Sequence, residues 1–508
     1  MHLRIFRPII CYDGRITFMH RMKNLSREAQ AAVITAFLST FLFAVGALKH
    51  STDDSFILFR YADNIVHGHG FVYNVGEKVL GSTTPLFTLL LAAVKFILFF
   101  IATPALAAWI TILLLMASSV YLYRLGRMFA SENISLLLVL VFALDLSKIA
   151  AEGMETGLFI FTVFGFLYYL LQRRNYLAAI FLALAVLTRP DAVLIAGLAF
   201  AYWWMRDGFE NSVRFSIAAV AVTLPWLIFA TLYFGSFVPQ SLLTKLHIHD
   251  IVNIPKFHAL KAQLAGMSRL YWGKLFDPDN FILQAAVNLL PYLLLVAVGI
   301  WKKISRENWI IFAIPLAYFL VYSASNTLMW SWYISQAEPL WILISFFGTA
   351  VVFEKLKDRK WKIIFASLLL IGPVYFWMHG VISRDQGSKL SSVSIAQYIR
   401  DRMQPGDTVA INNIGVIGYA LPDVHFVDLF GLTNDYAFAF YPAGGECADP
   451  ARLYGIPGPL VRFSQPDWLV AGDKELDPCF IRQSWFASHY GMQDYEGSAQ
   501  VTIWKRIR

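Results

Sequence analysis

The sequence predicts an all-α polytopic membrane domain followed by a C-terminal extracytoplasmic α/β domain. Three observations predict it. Apolar runs, most of them about 17 to 23 residues long, recur through the first three quarters of the 508-residue chain, and such a run crosses about 30 Å of hydrocarbon. Only 15% of the residues are charged and 57% are hydrophobic, with a mean hydropathy of +0.55; a soluble domain carries about 25% charge. Beyond residue 380 the long runs stop and the composition changes. Unalternating runs of this length must satisfy their backbone internally, so they are helices, not barrel strands.

The net charge is +8, yet the basic residues are not arranged for nucleic acid. They cluster beside apolar runs: Arg4 to Arg27, Arg124 and Arg127, Arg173 and Arg174, Lys302 and Lys303, and Lys355 to Lys360. That is the positive-inside pattern. Residues 1–28 read as a cytoplasmic basic tail without a cleavable signal layout, so the first span is expected to be a retained anchor.

Residues 29–379 form the multi-span domain. Its candidate spans are 29–49, 85–102, 105–123, 133–150, 155–171, 177–188, 190–204, 214–234, 281–301, 309–327, 333–353 and 363–379. Residues 50–84 and 235–280 are the long loops, expected outside. Twelve crossings from an inside N-terminus would leave the tail inside, whereas the clusters at 301–308 and 354–362 put it outside. About eleven spans are therefore expected. The weakest candidates are 85–102, interrupted by Lys95, and the short pair 177–188 and 190–204.

Residues 380–508 read as a small α/β domain. Val393–Met403 has a helical pattern that stops at Pro405-Gly406. Thr408–Ile411 and His425–Leu429 read as strands flanking a short helix, Ile414–Ala420, with further strands at Trp468–Ala471 and Val501–Lys505. Cys447 and Cys479 fall here, either bridged or as two thiols. The three cysteines give no metal framework.

Ser51 to Pro85 carries most of the chemistry. Asp53 and Asp54 stand just past the first span, and carboxylates at that depth usually face a polar cavity. The same pair could cap a helix. A helix over Asp54–Val66 would set Arg60 about two turns away, leaving Phe56, Phe59 and Ile65 to press on lipid or a neighbouring helix. His67-Gly-His-Gly70 would end it. His67 and His69 lack a third ligand of characteristic spacing, so no metal site is read. Lys148, Glu152 and Glu155 form a second polar cluster. Trp330, Trp332 and Tyr333 suit an interfacial belt or a sugar platform.

DDSFILFRYADNIVHGHGFVYN (53–74) with GSTTPLF (81–87), then GMET (153–156), LAVLTRPD (184–191), YFGSFVPQSLLTK (233–245) and IGVIGYALPDVHFVDLFGLT (414–433) occur in order over about 400 residues. Together they resemble the GT-C class of membrane glycosyltransferases. The likeness is nearest to the mycobacterial-type arabinofuranosyltransferases that use decaprenyl-phosphate arabinose. It is more distant to the lipid A aminoarabinose transferase and the protein O-mannosyltransferases.

The resemblance implies a sugar, arabinofuranose first and a hexose such as mannose second, carried on a polyprenyl phosphate. The acceptor would be a glycan, glycolipid or protein at the outer face of a bacterial inner membrane, and no cofactor is implied. The first member of the pair, Asp53, would be the base, with Asp54 the alternative. Arg60, Arg189 and Lys245 would hold the phosphate, and Thr83, Thr84, Glu155 and His67 would line the substrate site. Arg189 has a second reading, as the ion-pair partner of Asp191. A transporter would instead put charge at mid-span and relate two halves by symmetry. A scaffold protein would need no carboxylate pair beside three outward cations.

Overall fold

The computed structural model describes residues 52–251, 256–268, 289–325, 331–382, 387–440, 458–472, 478–495 and 501–507, with Phe41, Met329 and Gly497. Candidate span 29–49 (Phe41 apart), Lys148's side chain, those of Trp330 and Trp332, and any Cys447–Cys479 bridge lie outside the described residues. The first loop contributes α1 (Asp53–Val66), and segment 85–102 contributes α2 (Pro85–Ile97). The helical body follows as α3 (Thr103–Phe129), α4 (Glu132–Glu152), α5 (Thr156–Leu171), α6 (Asn175–Thr188), α7 (Val193–Asp207) and α8 (Phe209–Phe234). Next come α9 (Gln240–Ile251) and α10 (His258–Ser268), then α11 (Leu290–Lys303), α12 (Ile310–Ser325), α13 (Ser331–Lys355) and α14 (Arg359–Ile382).

Among the described residues, Thr103–Phe129, Phe209–Phe234 and Tyr333–Lys355 are each long and apolar enough to cross a membrane, and four more helices are apolar but shorter. Segment 85–102 does not form one span-length helix. Its helix has 13 residues, about 20 Å at 1.5 Å each, and Thr103 starts the next helix after a turn. The pair α6 and α7 is a hairpin broken by a 3-10 turn, Pro190–Ala192. Its far ends meet where Asn175 accepts from Arg206 Nη2 at 2.8 Å, so Arg189 sits at the tip. One continuous apolar core, including Phe142, Phe164, Leu167, Leu343 and Phe347, joins α3 to α7 with α12 and α13.

The tail holds α15 (Gly387–Arg400), β1 (Thr408–Ile411), α16 (Ile414–Ala420), β2 (His425–Asp428), α17 (Gly458–Ser464), β3 (Trp468–Gly472), α18 (Pro478–Ile481), α19 (Ser484–His489), β4 (Tyr490–Met492) and β5 (Val501–Arg506). The sheet order is β2-β1-β3-β5-β4. The first three strands are parallel, and β5 is antiparallel to β3 and β4. Strand alternation sends Val409, Ile411, Phe426 and Trp468 to one face, against α15 and α16. Ala410, Val427 and Leu469 go to the other, against α17 to α19. The first face is shared: Tyr61, Phe71, Tyr73 and Leu80 of the first loop belong to the same buried cluster. The tail and the first loop therefore have a core in common, which a reading of 380–508 alone does not show.

Candidate active site

Helix α1 begins at Asp53 because Thr52 is extended and the chain is anchored there; Thr52 N–H donates to Glu152 O at 3.2 Å. It ends as expected, with Gly68 and Gly70 at φ +80° and +91°. Adjacent residues on a helix diverge by about 100°, so the two carboxylates separate. Asp53 turns to the tail, where its oxygens accept the N–H of Gly415 (3.0 Å) and Val416 (2.8 Å) at the start of α16. Burial holds the Asp53 carboxyl above its usual range, the Val416 N–H pulls it down, and neighbouring Asp54 adds to the rise. Asp54 turns the other way and lines a cavity. The expected assignment of cavity to Asp53 is thus reversed: Asp54 faces the cavity and Asp53 is engaged by backbone.

That cavity is about 640 Å³ including its open mouth. Besides Asp54, Thr83, Thr84, Glu155, Arg189 and Lys245 line it, and Tyr333 and Leu432 are also in the wall. Six segments far apart in sequence meet here. Lys245 reaches it from α9, held because Gln240 N–H donates to Leu80 O at 2.8 Å and Thr244 Oγ1 donates to Gly431 O at 2.6 Å. Its ammonium lies 3.4 Å from Tyr333 Oη. Burial would lower the Lys245 pKa, but Tyr333 and Asp54 outweigh it and the amine is held above its ordinary value.

Arg189 is 7% exposed and lies between two acids. Nη1 pairs with Glu155, and Nε is 3.2 Å from Asp191 Oδ1. Tyr322 Oη donates to Asp191 Oδ2 at 2.8 Å. Arg189 is thus the ion-pair partner of Asp191, and it also forms cavity wall. Thr84 and Ser82 are knotted by short-range bonds at the head of α2, with Ser82 Oγ 3.1 Å from Thr88 Oγ1.

Besides Asp53, two expected site residues, Arg60 and His67, are not brought to the cavity. Arg60 is 3% exposed and donates to the carbonyls of Tyr73 (2.8 Å), Leu421 (3.2 Å), Pro422 (3.3 Å) and Val424 (2.8 Å), and to Gly418 O. Burial lowers its pKa, while Tyr73 and Asp423 act against that. It fastens α1 to the tail because its flat fork of donors suits converging carbonyls. His67 is exposed at the end of α1, bonded through Nδ1 to Asp63 O at 2.7 Å. Phe59 packs on Tyr419 of the tail at 6.1 Å and does not face lipid.

Leu432 escaped the sequence reading. It enters the wall through a turn built by Asp428, whose carboxylate accepts the N–H of Phe430 (3.0 Å), Leu432 (2.7 Å) and Thr433 (2.9 Å). The Asp-x-x-Gly-x-Thr spacing was the available signal. Burial pushes the Asp428 carboxyl up to about 6, against the pull of these donors.

A family model described as a domain of unknown function, DUF8728, matches residues 380–504, the α/β tail. No curated protein matches the chain in sequence. Solved structures match in shape. ArnT from Cupriavidus metallidurans, bound to undecaprenyl phosphate, aligns at a TM-score of 0.57 with 12% identity, over 93% of this chain and 97% of that one. The apo oligosaccharyltransferase of Archaeoglobus fulgidus aligns at 0.54 with 12% identity, over 87% and 69%. The same transferase tethered to an acceptor peptide containing the NVT sequon aligns at 0.54 with 11% identity, over 94% and 74%. This chain has the GT-C fold. At this coverage the GT-C likeness takes in the helical body and the tail together, the two parts that meet at the cavity.

Proposed function

We propose that the chain is a glycosyltransferase that moves a sugar from a polyprenyl-phosphate donor to a hydroxyl acceptor. One observation carries the reading: a carboxylate with no hydrogen bond to the described residues, Asp54, shares a cavity with Lys245 and Arg189. Two opposite needs of the reaction are met there. The acceptor oxygen attacks C1 of the donor sugar, its proton passes to Asp54, and the C1–O bond to phosphate breaks with both electrons leaving on the phosphate. A positioned carboxylate base contributes about 10²- to 10⁴-fold. Lys245 faces the leaving phosphate as a point charge, and Arg189 sits behind it, oriented by Glu155 and Asp191. Attack opposite the leaving group inverts C1. Thr83 and Thr84 offer hydroxyls beside the base.

The sequence motifs favour arabinofuranose as the sugar and a mannose-type hexose as the alternative. The likeness to ArnT, solved with undecaprenyl phosphate, supports a polyprenyl-phosphate donor. The acceptor is a glycan, glycolipid or protein on the outer face of a bacterial inner membrane, reached by about eleven spans. Mass spectrometry of lipids that co-purify with the protein tests the reading. A polyprenyl-phosphoryl pentose is the expected mass, a polyprenyl-phosphoryl hexose would change the sugar, and transfer from neither lipid by the purified protein would overturn the reading.

A further inference from the structure

The first turns of α9 carry two pairs of polar side chains at i, i+4 spacing: Gln240 with Thr244, and Ser241 with Lys245. Residues four apart share a helix face, and the second pair is turned about 100° from the first. The first pair holds the helix in place. Thr244 is fully buried; its hydroxyl donates to Gly431 O at 2.6 Å and accepts from Gln240 Nε2 at 3.3 Å. The Gln240 N–H donates to Leu80 O at 2.8 Å. Bonds to the tail and to the first loop thus fix the rotation of α9 about its own axis. The second pair is what that rotation turns to the cavity, and both Ser241 and Lys245 stand in its wall.

We propose that Ser241 is a further donor-binding residue, its hydroxyl and the Lys245 ammonium holding one and the same phosphate; the proposal rests on the transferase reading and adds a residue to it. Neighbours at i, i+4 have Cβ atoms about 5–6 Å apart, and both groups can donate. They therefore converge on a ligand that offers several acceptor oxygens around one centre, as a phosphate does. An ammonium has three rotatable donors and no acceptor, so Lys245 supplies charge with little direction. The short, buried Ser241 side chain supplies direction, because its hydroxyl fixes where one phosphate oxygen sits. The other two serines of the wall are engaged elsewhere: Ser55 Oγ donates to Thr52 O at 2.6 Å, and Ser82 Oγ lies 3.1 Å from Thr88 Oγ1. Ser241 is the wall serine that shares a helix with the cation.

The test uses the full chain in lipid nanodiscs and compares the wild type with Ser241→Ala. Equilibrium binding is measured for decaprenyl-phosphoryl arabinose, for bare decaprenyl phosphate and for decaprenol, which lacks the phosphate, beside a thermal melt. Ser241→Ala is expected to bind both phosphate lipids about 3- to 10-fold more weakly, with decaprenol binding and the melting temperature unchanged. Ser241→Thr, which keeps a hydroxyl, should bind them as the wild type does; a loss equal to that of Ser241→Ala would trace the effect to packing and overturn the proposal. A loss confined to the arabinose lipid would put Ser241 against the sugar, and an equal loss for decaprenol would put it against the chain; either result also overturns it. If the wild type binds both phosphate lipids and Ser241→Ala binds them equally well, the role of Ser241 fails and the transferase reading stands. If the wild type binds neither phosphate lipid, the transferase reading fails and Ser241 falls with it.

Discussion

Asp53 and Asp54 are chemically identical neighbours, and their surroundings separate them. Asp53 caps α16 through two N–H bonds, and Asp54 meets the cavity. Asp54→Asn is expected to lower kcat by at least about 100-fold with donor binding and expression intact. Asp53→Asn should keep measurable turnover but melt earlier. Steady-state kinetics beside thermal melts check this, and a dead Asp53→Asn with an active Asp54→Asn would reverse the assignment. The two cavity cations divide in the same way. Arg189 balances Glu155 and Asp191, so Arg189→Ala leaves buried acids unpaired, a loss of about 3–5 kcal/mol where such pairs are broken. Lys245→Gln should leave the melting temperature alone and raise the donor KM. Equal stability loss in both variants would contradict that division. Asp428 adds a pH signature. Its carboxyl is raised from 3.8 to about 6 in the fold, so between those values the folded chain holds a proton that the unfolded chain has lost. Its contribution therefore appears as pH falls through about 6 and is gone above it, worth at most about 3 kcal/mol. Comparing melts at pH 5 and pH 7.5, Asp428→Asn should shift the balance toward pH 7.5. An unchanged difference would show that Asp428 does not titrate there.

At the scale of elements, α1 and α16 are matched. Asp53 and Arg60 are two helical turns apart, and α16 is a seven-residue helix of about that length. Its N–H groups meet the acid and its last carbonyls meet the guanidinium, which is the favourable sense for the helix dipole. The fit needs glycine, because a Cβ at Gly418 would overlap Tyr73 Oη and one at Gly415 would overlap the Asp53 backbone. Gly418→Ala is expected to lower the melting temperature and turnover together. Tyr73→Phe in the same chain should recover part of both, since it removes the overlapping oxygen. It also gives up the Tyr73 Oη bond to Ile414 O at 2.7 Å. No recovery in the double variant would place the damage elsewhere.

For the whole molecule, the cavity is a junction of loop, bundle and tail, so the tail should lie on the same side of the membrane as Asp54. Ala487 is exposed on α19. In a variant lacking Cys11, Cys447 and Cys479, Ala487→Cys should react with an impermeant maleimide in intact spheroplasts. Labelling only after lysis would put the tail inside and reverse the proposed orientation. Of the segments in the counting conflict between twelve runs and an outside tail, α2 is a single 13-residue helix, whereas α6 and α7 pair as a hairpin with Arg189 at its tip, so we propose α2 as the run that does not cross.

Elements whose signals are local are written in a few consecutive residues. Helix α1 and its glycine stop, the short helix Ile414–Ala420 and strands β1, β2, β3 and β5 follow from periodicity and turn chemistry over a few residues. Strand β4 did not announce itself, since three residues of Tyr-Gly-Met carry no alternation and are held by pairing with β5. The segments that line the cavity were legible too, through Asp54, Thr83, Thr84, Glu155, Arg189 and Lys245. Folding alone selects which of two adjacent acids faces the cavity, makes Arg60 a fastener and brings Leu432 into the wall. Each depends on what stands opposite a side chain. For Asp53 and Arg60 the opposite groups are backbone N–H and C=O of the tail, about 360 residues away in sequence, and a backbone partner leaves no mark on residue type.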